Sequence, residues 1–244
     1  MNYQEFSDFC KKAFKDNISY ITVTEEHIEK LYHLTNHMLK VNETMNLTAI
    51  KDEKLIILRH YVDSVFISEY LEENSNIIDV GCGAGFPTLP LAIFRPDLRI
   101  TALDSTAKRI DYVNGAAKML ELNNIIGISE RAEVLANNKQ YREKFDYATA
   151  RAVAALPILT ELCLPFVKVG GSFAAMKAQK AQEELALSEN AIKKCGGKLA
   201  DVISKDLLYE NGDREQRSVI VTKKIKPTPI EFPRHYSKIS KKPL

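Results

Sequence analysis

Residues 77–86 read IIDVGCGAGF: an apolar run carries a carboxylate, Asp79, and passes straight into three glycines spaced as GxGxG. Gly81, Gly83 and Gly85 let a turn enter positive φ and bring bare backbone against a ligand where a Cβ would stand in the way. Asp79 is expected to hold that loop by accepting its amides. A second run, residues 99–104 (RITALD), ends in Asp104 nineteen residues after Gly85, about where a βαβ unit places a ribose-binding acid. Asp104 is therefore expected to accept hydrogen bonds from ribose hydroxyls. A dinucleotide site calls for GxGxxG, whose third glycine lets the helix pack close beneath a pyrophosphate. Here Gly85 comes one place early and Phe86 follows. The spacing disfavours NAD and favours S-adenosylmethionine, whose methionine tail has no pyrophosphate.

Strands and helices must alternate to position such a loop, and from residue 77 they do. The pattern predicts strands at 77–80, 99–104, 125–129, 145–150 and 172–177, separated by helices at 88–95, 106–122, 131–143 and 155–167, with a turn at Gly170-Gly171 and a helix at 178–194. Two last strands, 198–208 and 217–223, flank the turn-forming NGDREQ and predict an antiparallel hairpin at one edge. Short connections between alternating elements imply a mostly parallel sheet of seven strands covered on both faces, the class I (Rossmann-like) methyltransferase arrangement. Upstream, Thr22 and Glu25 resemble a capping box opening an amphipathic helix through Ile28, Leu31, Thr35 and Met38, and a second helix is expected over residues 54–71. The polar stretch 72–76 (EENSN) reads as a linker. The expected division is a helical extension (1–73) packed on an α/β domain (74–223), then a basic tail (224–244).

Across 244 residues the net charge is only +2, but residues 223–244 hold six lysines and one arginine against one glutamate, a surplus of six. The rest of the chain then stands at −4. Such a tail suits a phosphate backbone, with Phe232, Arg234, His235 and Tyr236 available for stacking or cationic contacts; a solvated, frayed terminus is the competing reading. On either reading, removing it should leave the cofactor site untouched. Cys10, Cys82, Cys163 and Cys195 are too scattered for a metal or disulfide pair, so neither is expected. Apolar stretches stop well short of a membrane span and the opening residues lack the order of a signal peptide, so a cytoplasmic protein without membrane contact is expected.

Several ordered pieces carry a resemblance: NLTAI (46–50), RHYVDS (59–64), DVGCGAGFP (79–87), LDSTAKR (103–109), ARAVA (150–154), GGSFAAMKA (170–178) and the closing FPRHYSKISKKPL. Together they resemble the RsmG (GidB) family of 16S ribosomal RNA guanine-N7 methyltransferases, from about residue 20 onward. Two positions depart from the family's usual pattern: Thr88 stands where a small residue is commoner, and FPR replaces YPR. The resemblance implies S-adenosylmethionine as cofactor and, as substrate, guanine 527 in the 530 loop of 16S rRNA, presented as free RNA or within a 30S subunit or assembly intermediate.

The resemblance places Gly81, Phe86, Asp104, Ala132, Glu133 and Arg151 at the cofactor; with Asp79, Gly83 and Gly85 they make the expected pocket. Each of the six follows or ends an expected strand, where open α/β sheets bind ligands. Glu133 is expected to orient the adenine amino group, the alternative being a helix N-terminal acid that favours the dipole. Arg131, Arg151, Lys177 and Arg217 form an expected cationic rim for RNA phosphate or guanine O6. His60, Asp63 and Ser64 share one helix face, either as a buried network or as substrate contacts. Guanine N7 carries an in-plane lone pair, so alignment suffices and no general base is expected. Two alternatives remain: methyl transfer to another substrate, disfavoured because ARAVAAL replaces the Asn-Pro-Pro-Tyr type motif, or a non-catalytic cofactor-binding RNA assembly protein.

Overall fold

A computed structural model describes residues 1–178 and 181–244. The chain opens with α1 (Tyr3–Asn17), which the sequence pattern did not lead us to expect. Asn2 caps it in a reciprocal box with Glu5, and Phe6, Cys10, Ala13 and Phe14 recur at helical spacing on its buried face. The next helix, α2 (Glu25–Met45), is capped by Thr24 with His27, not by Thr22 with Glu25. The box sits two residues later because the His27 ring nitrogen serves as the acceptor that Glu supplies elsewhere.

The helix expected over 54–71 is broken into four pieces: α3 (Glu53–Ile56), a π-helical turn (Ile57–Val62), α4 (Asp63–Val65) and a 3-10 turn (Phe66–Tyr70). The Asp63 amide reaches back to the Leu58 carbonyl, five residues away, which leaves the Arg59 carbonyl without its usual intrahelical donor. The Arg151 guanidinium takes that carbonyl at 2.8 Å. A long-range contact thus fills the vacancy that the π turn creates.

Then come β1 (Asn76–Val80), α5 (Thr88–Phe94), β2 (Arg99–Asp104), α6 (Ala107–Met119), β3 (Ile125–Ser129), α7 (Ala132–Leu135), β4 (Phe145–Arg151), α8 (Leu156–Cys163) and β5 (Val167–Lys177). They are followed by α9 (Ala181–Ala186), α10 (Glu189–Lys194), β6 (Gly197–Leu208), β7 (Arg214–Lys224) and α11 (Tyr236–Lys241). One seven-stranded sheet runs β3-β2-β1-β4-β5-β7-β6, parallel except for β7, which is antiparallel to both neighbours. The predicted strands, their mostly parallel pairing and the edge hairpin are present. Three predicted helices differ. The one at 131–143 shrinks to α7, followed by turns. The one at 155–167 ends at Cys163, because Pro165 sits in a tight turn that leads into β5. The one at 178–194 becomes α9 and α10, with residues 179–180 outside those described; Ser188 donates to the Glu184 carbonyl at the break. Gly170-Gly171 lies inside β5 as a bulge: Val167 pairs with Phe145 while Ser172 pairs with Tyr147.

Period-two alternation puts Ile78 and Val80 of β1 into the core under α8, with Ile77 on the opposite face. The N-terminal helices, α5 and α6 share the largest apolar cluster on that opposite side. Asn17 of α1 exchanges hydrogen bonds with the Leu208 backbone, tying the first helix to the last hairpin. The C-terminal residues fold back over α8 as a strap. Phe232 and Ile239 enter the core, Lys224 is buried, and Arg234 binds the fully buried Glu161. Two of the seven cations of that segment are therefore held internally, because burying a charge demands a partner. No described helix is long and apolar enough to cross a membrane.

Candidate active site

β1 and β4 lie side by side, but the chain leaves β1 toward β2 and arrives at β4 only after β3, so the connections part above their carboxyl ends. Such a switch point opens a crevice. A cavity of about 490 Å³ fills it, lined by Gly81, Gly83, Phe86, Asp104, Ala132, Glu133 and Arg151 among others. Asp79 and Gly85 do not line it.

The glycine loop is sewn to the end of β2. Gly81 and Cys82 amides both donate to the Leu103 carbonyl, at 2.7 and 3.0 Å, and the Gly83 amide donates to Asp104 Oδ2 at 3.0 Å. Asp104 Oδ1 accepts from the Thr106 amide at 2.8 Å. Asp104 therefore braces the loop, the task assigned from sequence to Asp79; it also meets Arg109 Nη1 at 3.5 Å and lines the cavity. Gly81 has φ +75°, and a Cβ there would stand 2.6 Å from Val153 Cγ2. Gly85 serves packing, since its Cβ would meet Leu89 Cδ1 at 2.5 Å. Asp79 lies fully buried beneath, accepting from Thr88 Oγ1 at 2.7 Å and Thr149 Oγ1 at 3.2 Å. Burial pushes its carboxyl up to about 6, against the pull of both hydroxyls. The loop amides were the wrong partners for it because strand pleating aims its side chain at α5 and β4.

Glu133 is 5% exposed, and its Oε1 is buried without a hydrogen-bond partner among the described residues. Arg131 Nη1 stays 4.0 Å away and is itself largely exposed. A buried, unsatisfied acceptor on a cavity wall calls for a donor from a ligand. Arg151 ends β4 and is followed by Ala152 at φ +56°, a left-handed conformation rare outside glycine. That bend carries Val153 over Gly81.

A second cavity of about 560 Å³ adjoins the first and shares His60, Arg151, Ala152 and Val153 with it. Arg59, Asp63, Lys177, Glu184, Arg217 and Ser218 complete its polar wall. The expected rim of free cations is instead a set of ion pairs. Arg151 meets Asp63 at 2.8 Å, Arg217 meets Asp63 at 3.0 Å and Glu215 at 2.9 Å, and Lys177 meets Glu184 at 2.7 Å. Half-buried guanidinium groups need such partners. Arg131 stands apart from this cluster, on the first cavity. The trio on the broken helix divides: Asp63 joins the arginines, Ser64 donates to the His60 carbonyl, and His60 lines both cavities. His60 stacks on Phe86 with centroids 4.4 Å apart, and its Nε2 is 2.9 Å from Thr48 Oγ1. Burial, with Arg151 adding to it, drives its pKa down to about 3, so the ring is neutral.

Sequence reasoning missed Thr48, Arg109, Val153 and Tyr236 as wall residues. Arg109 carried a signal, one turn into the helix after Asp104. Tyr236 was read only as a stacking residue of a tail that binds RNA, and its place on the cavity corrects the expectation that the tail stands clear of the cofactor site. Among the described residues no group of three or more His, Cys, Asp or Glu side chains is placed to hold a metal ion.

Strand order, helices on both faces and a glycine loop leaving β1 define a class I, Rossmann-like methyltransferase fold. Solved structures agree at the level of fold: a SAM-dependent methyltransferase from Aquifex aeolicus matches with TM-score 0.52 at 15% identity, over 77% of this chain and 97% of its own. The [4+2]-cyclase SpnF matches with TM-score 0.56 at 14% identity, over 84% and 98%, so the scaffold alone does not fix the chemistry. The profile of the rRNA small subunit methyltransferase G (GidB) family matches residues 27–210. Ribosomal RNA small subunit methyltransferase G of Alkaliphilus oremlandii is 43% identical over 226 residues, covering 92% of this chain and 93% of the relative. Its counterpart in Clostridium beijerinckii is 41% identical over 243 residues, covering 98% and 99%. The chain belongs to the rRNA small subunit methyltransferase G family.

Proposed function

We propose that this protein transfers a methyl group from S-adenosylmethionine to N7 of guanine 527, in the 530 loop of 16S rRNA. The observation that carries the reading is the pair of adjoining cavities meeting at Arg151, the first built like a nucleoside site and the second walled by hydrogen-bond donors. Asp104 would hold the ribose and Glu133 Oε1, beside Ala132, the adenine amino group. When bound, S-adenosylmethionine would supply an electrophilic methyl group. The Hoogsteen edge of guanine presents N7 and O6, both acceptors, and Arg59, Arg151, Lys177 and Arg217 are donors of matching kind.

Deprotonation of the acceptor is unnecessary, and the second cavity is consistent with that. His60 is neutral, with one face stacked on Phe86 and its Nε2 engaged by Thr48, while Asp63 and Glu184 are committed to cations. Positioning and water exclusion are what these residues offer, worth about 7–11 kcal/mol in favourable cases. The Hoogsteen edge is hard to reach in an A-form helix, so the target base would be unstacked, in a loop or in an assembling 30S particle. We read residues 1–73 as the wall that supplies His60 and Asp63, 74–223 as the transfer domain and 224–244 as a basic strap along the RNA.

Incubation with methyl-labelled S-adenosylmethionine and unmethylated 16S rRNA, free and within 30S subunits, tests the reading. Label in N7-methylguanosine at position 527 is the expected result. Label on another base or on protein would favour a different class I substrate; cofactor binding without any transfer would favour an assembly role.

A further inference from the structure

The geometry points to Tyr236, carried on the C-terminal strap, as the aromatic wall of the cofactor cavity at its adenine end. The inference rests on the reading of that cavity as an S-adenosylmethionine site, and adds to it a residue from a segment that sequence placed outside.

Three landmarks orient the cavity. Arg151 and His60, shared with the second cavity, mark the end where the methyl must leave. Asp104, tied to the glycine loop, marks the ribose. Glu133 on α7, with its unsatisfied buried oxygen, marks the end that requires a donor such as an exocyclic amine. Both α7 and α11 pack on α8. Tyr236, the first residue of α11 and a lining residue of the cavity, is thereby assigned to the flank that α7 and α8 build, the adenine side, with the residue 38% exposed.

That position is fixed. Two residues before Tyr236, Arg234 makes three hydrogen bonds to Glu161: from its amide at 2.9 Å, from Nε at 2.8 Å and from Nη2 at 2.6 Å. Three residues after it, Ile239 is fully buried. Earlier in the strap, Arg142 binds the carbonyls of Thr228 and Phe232 at 2.8 and 2.9 Å, and Lys224 Nζ binds Thr228 Oγ1 at 2.7 Å. A ring held between a buried fork and a buried aliphatic anchor offers a preformed π-face, and bases stack on such faces irrespective of sequence. Outward from the cavity, α11 presents Lys238 and Lys241, so one short helix touches both the cofactor site and the surface open to RNA phosphate.

The chain has no tryptophan, which makes the test spectroscopic. Tyr236→Trp introduces a sole reporter. Its emission should change saturably with S-adenosylhomocysteine and with adenosine, and stay unmoved with homocysteine. By calorimetry, Tyr236→Ala should bind S-adenosylhomocysteine roughly tenfold to a hundredfold more weakly, while Tyr236→Phe stays near wild type. Emission that ignores the ligand while calorimetry records binding would overturn the assignment, as would wild-type affinity in a folded Tyr236→Ala protein. If Tyr236→Ala does not fold, the tryptophan titration decides alone. Failure of the wild-type protein to bind S-adenosylhomocysteine would instead defeat the cofactor reading itself, and this inference with it.

Discussion

At the scale of single residues, His60 and Asp79 titrate in opposite senses. Asp79, raised from 3.8 to about 6, binds its proton more readily folded than unfolded, so it contributes stability at low pH that is lost as pH rises through about 6. His60, lowered from 6.5 to about 3, does the reverse and costs stability as pH falls from about 6.5 toward 3. Between about pH 4 and 6 the two slopes cancel. Asp79→Asn should unmask His60, giving stability that rises by about 1.4 kcal/mol per pH unit across that window in urea titrations; a flat profile would refute the opposition. Glu133 invites a different contrast: Glu133→Met removes an unsatisfied buried oxygen, so the melting temperature without ligand should hold or rise while S-adenosylmethionine affinity falls about tenfold. Asp104→Ala loses both the ribose acceptor and the Gly83 brace, and calorimetry should show a loss of about 1–3 kcal/mol. The glycine loop and Asp104 were legible in the sequence because backbone approach and strand-end acids leave local patterns. Which of Asp79 and Asp104 braces the loop was not, since pleat direction decides it and spacing does not.

Elements show the same division between local and long-range causes. Strand identity and the edge hairpin followed from alternation, yet the break in residues 53–70 could not, because its π turn is completed by Arg151, 92 residues away from the carbonyl it fills. An arginine at a strand end reads as solvent-facing; here it joins Asp63, Arg217 and a helix backbone. Arg151→Ala should therefore lower stability as well as transfer, by about 3 kcal/mol if Asp63 is left short of a partner, read by chemical denaturation alongside turnover. The strap was read as a basic tail with aromatic residues for RNA contacts, and its buried anchors are single residues scattered among lysines. Arg234→Ala strands the carboxylate of Glu161 in the core, and the melting curve should fall by an amount equivalent to about 3–5 kcal/mol, with Glu161→Gln in the same background recovering part of it.

For the molecule as a whole, the near-neutral total charge hides a basic strap facing a body of opposite sign, and RNA association should depend steeply on salt. Replacing Lys238, Lys241 and Lys242 by glutamine should make the slope of log affinity against log salt shallower by about 0.7–0.9 for each phosphate no longer neutralised, with S-adenosylmethionine affinity unchanged. An unchanged slope would place the RNA elsewhere. Sheet order also has a consequence in time. β7 sits between β5 and β6 but is made after both, so during synthesis β5 waits with an unpaired edge and β6 has nothing to pair with. Only when residues 214–224 emerge does the wedge close, and Ile239 and Arg234 seal the core later still. Chains interrupted before that point carry open, apolar strand edges of the kind that nucleate aggregation. A ribosome stalled before β7 emerges would therefore hold a product with six of the seven strands made and still sticky, a burden on chaperones out of proportion to the one strand it lacks.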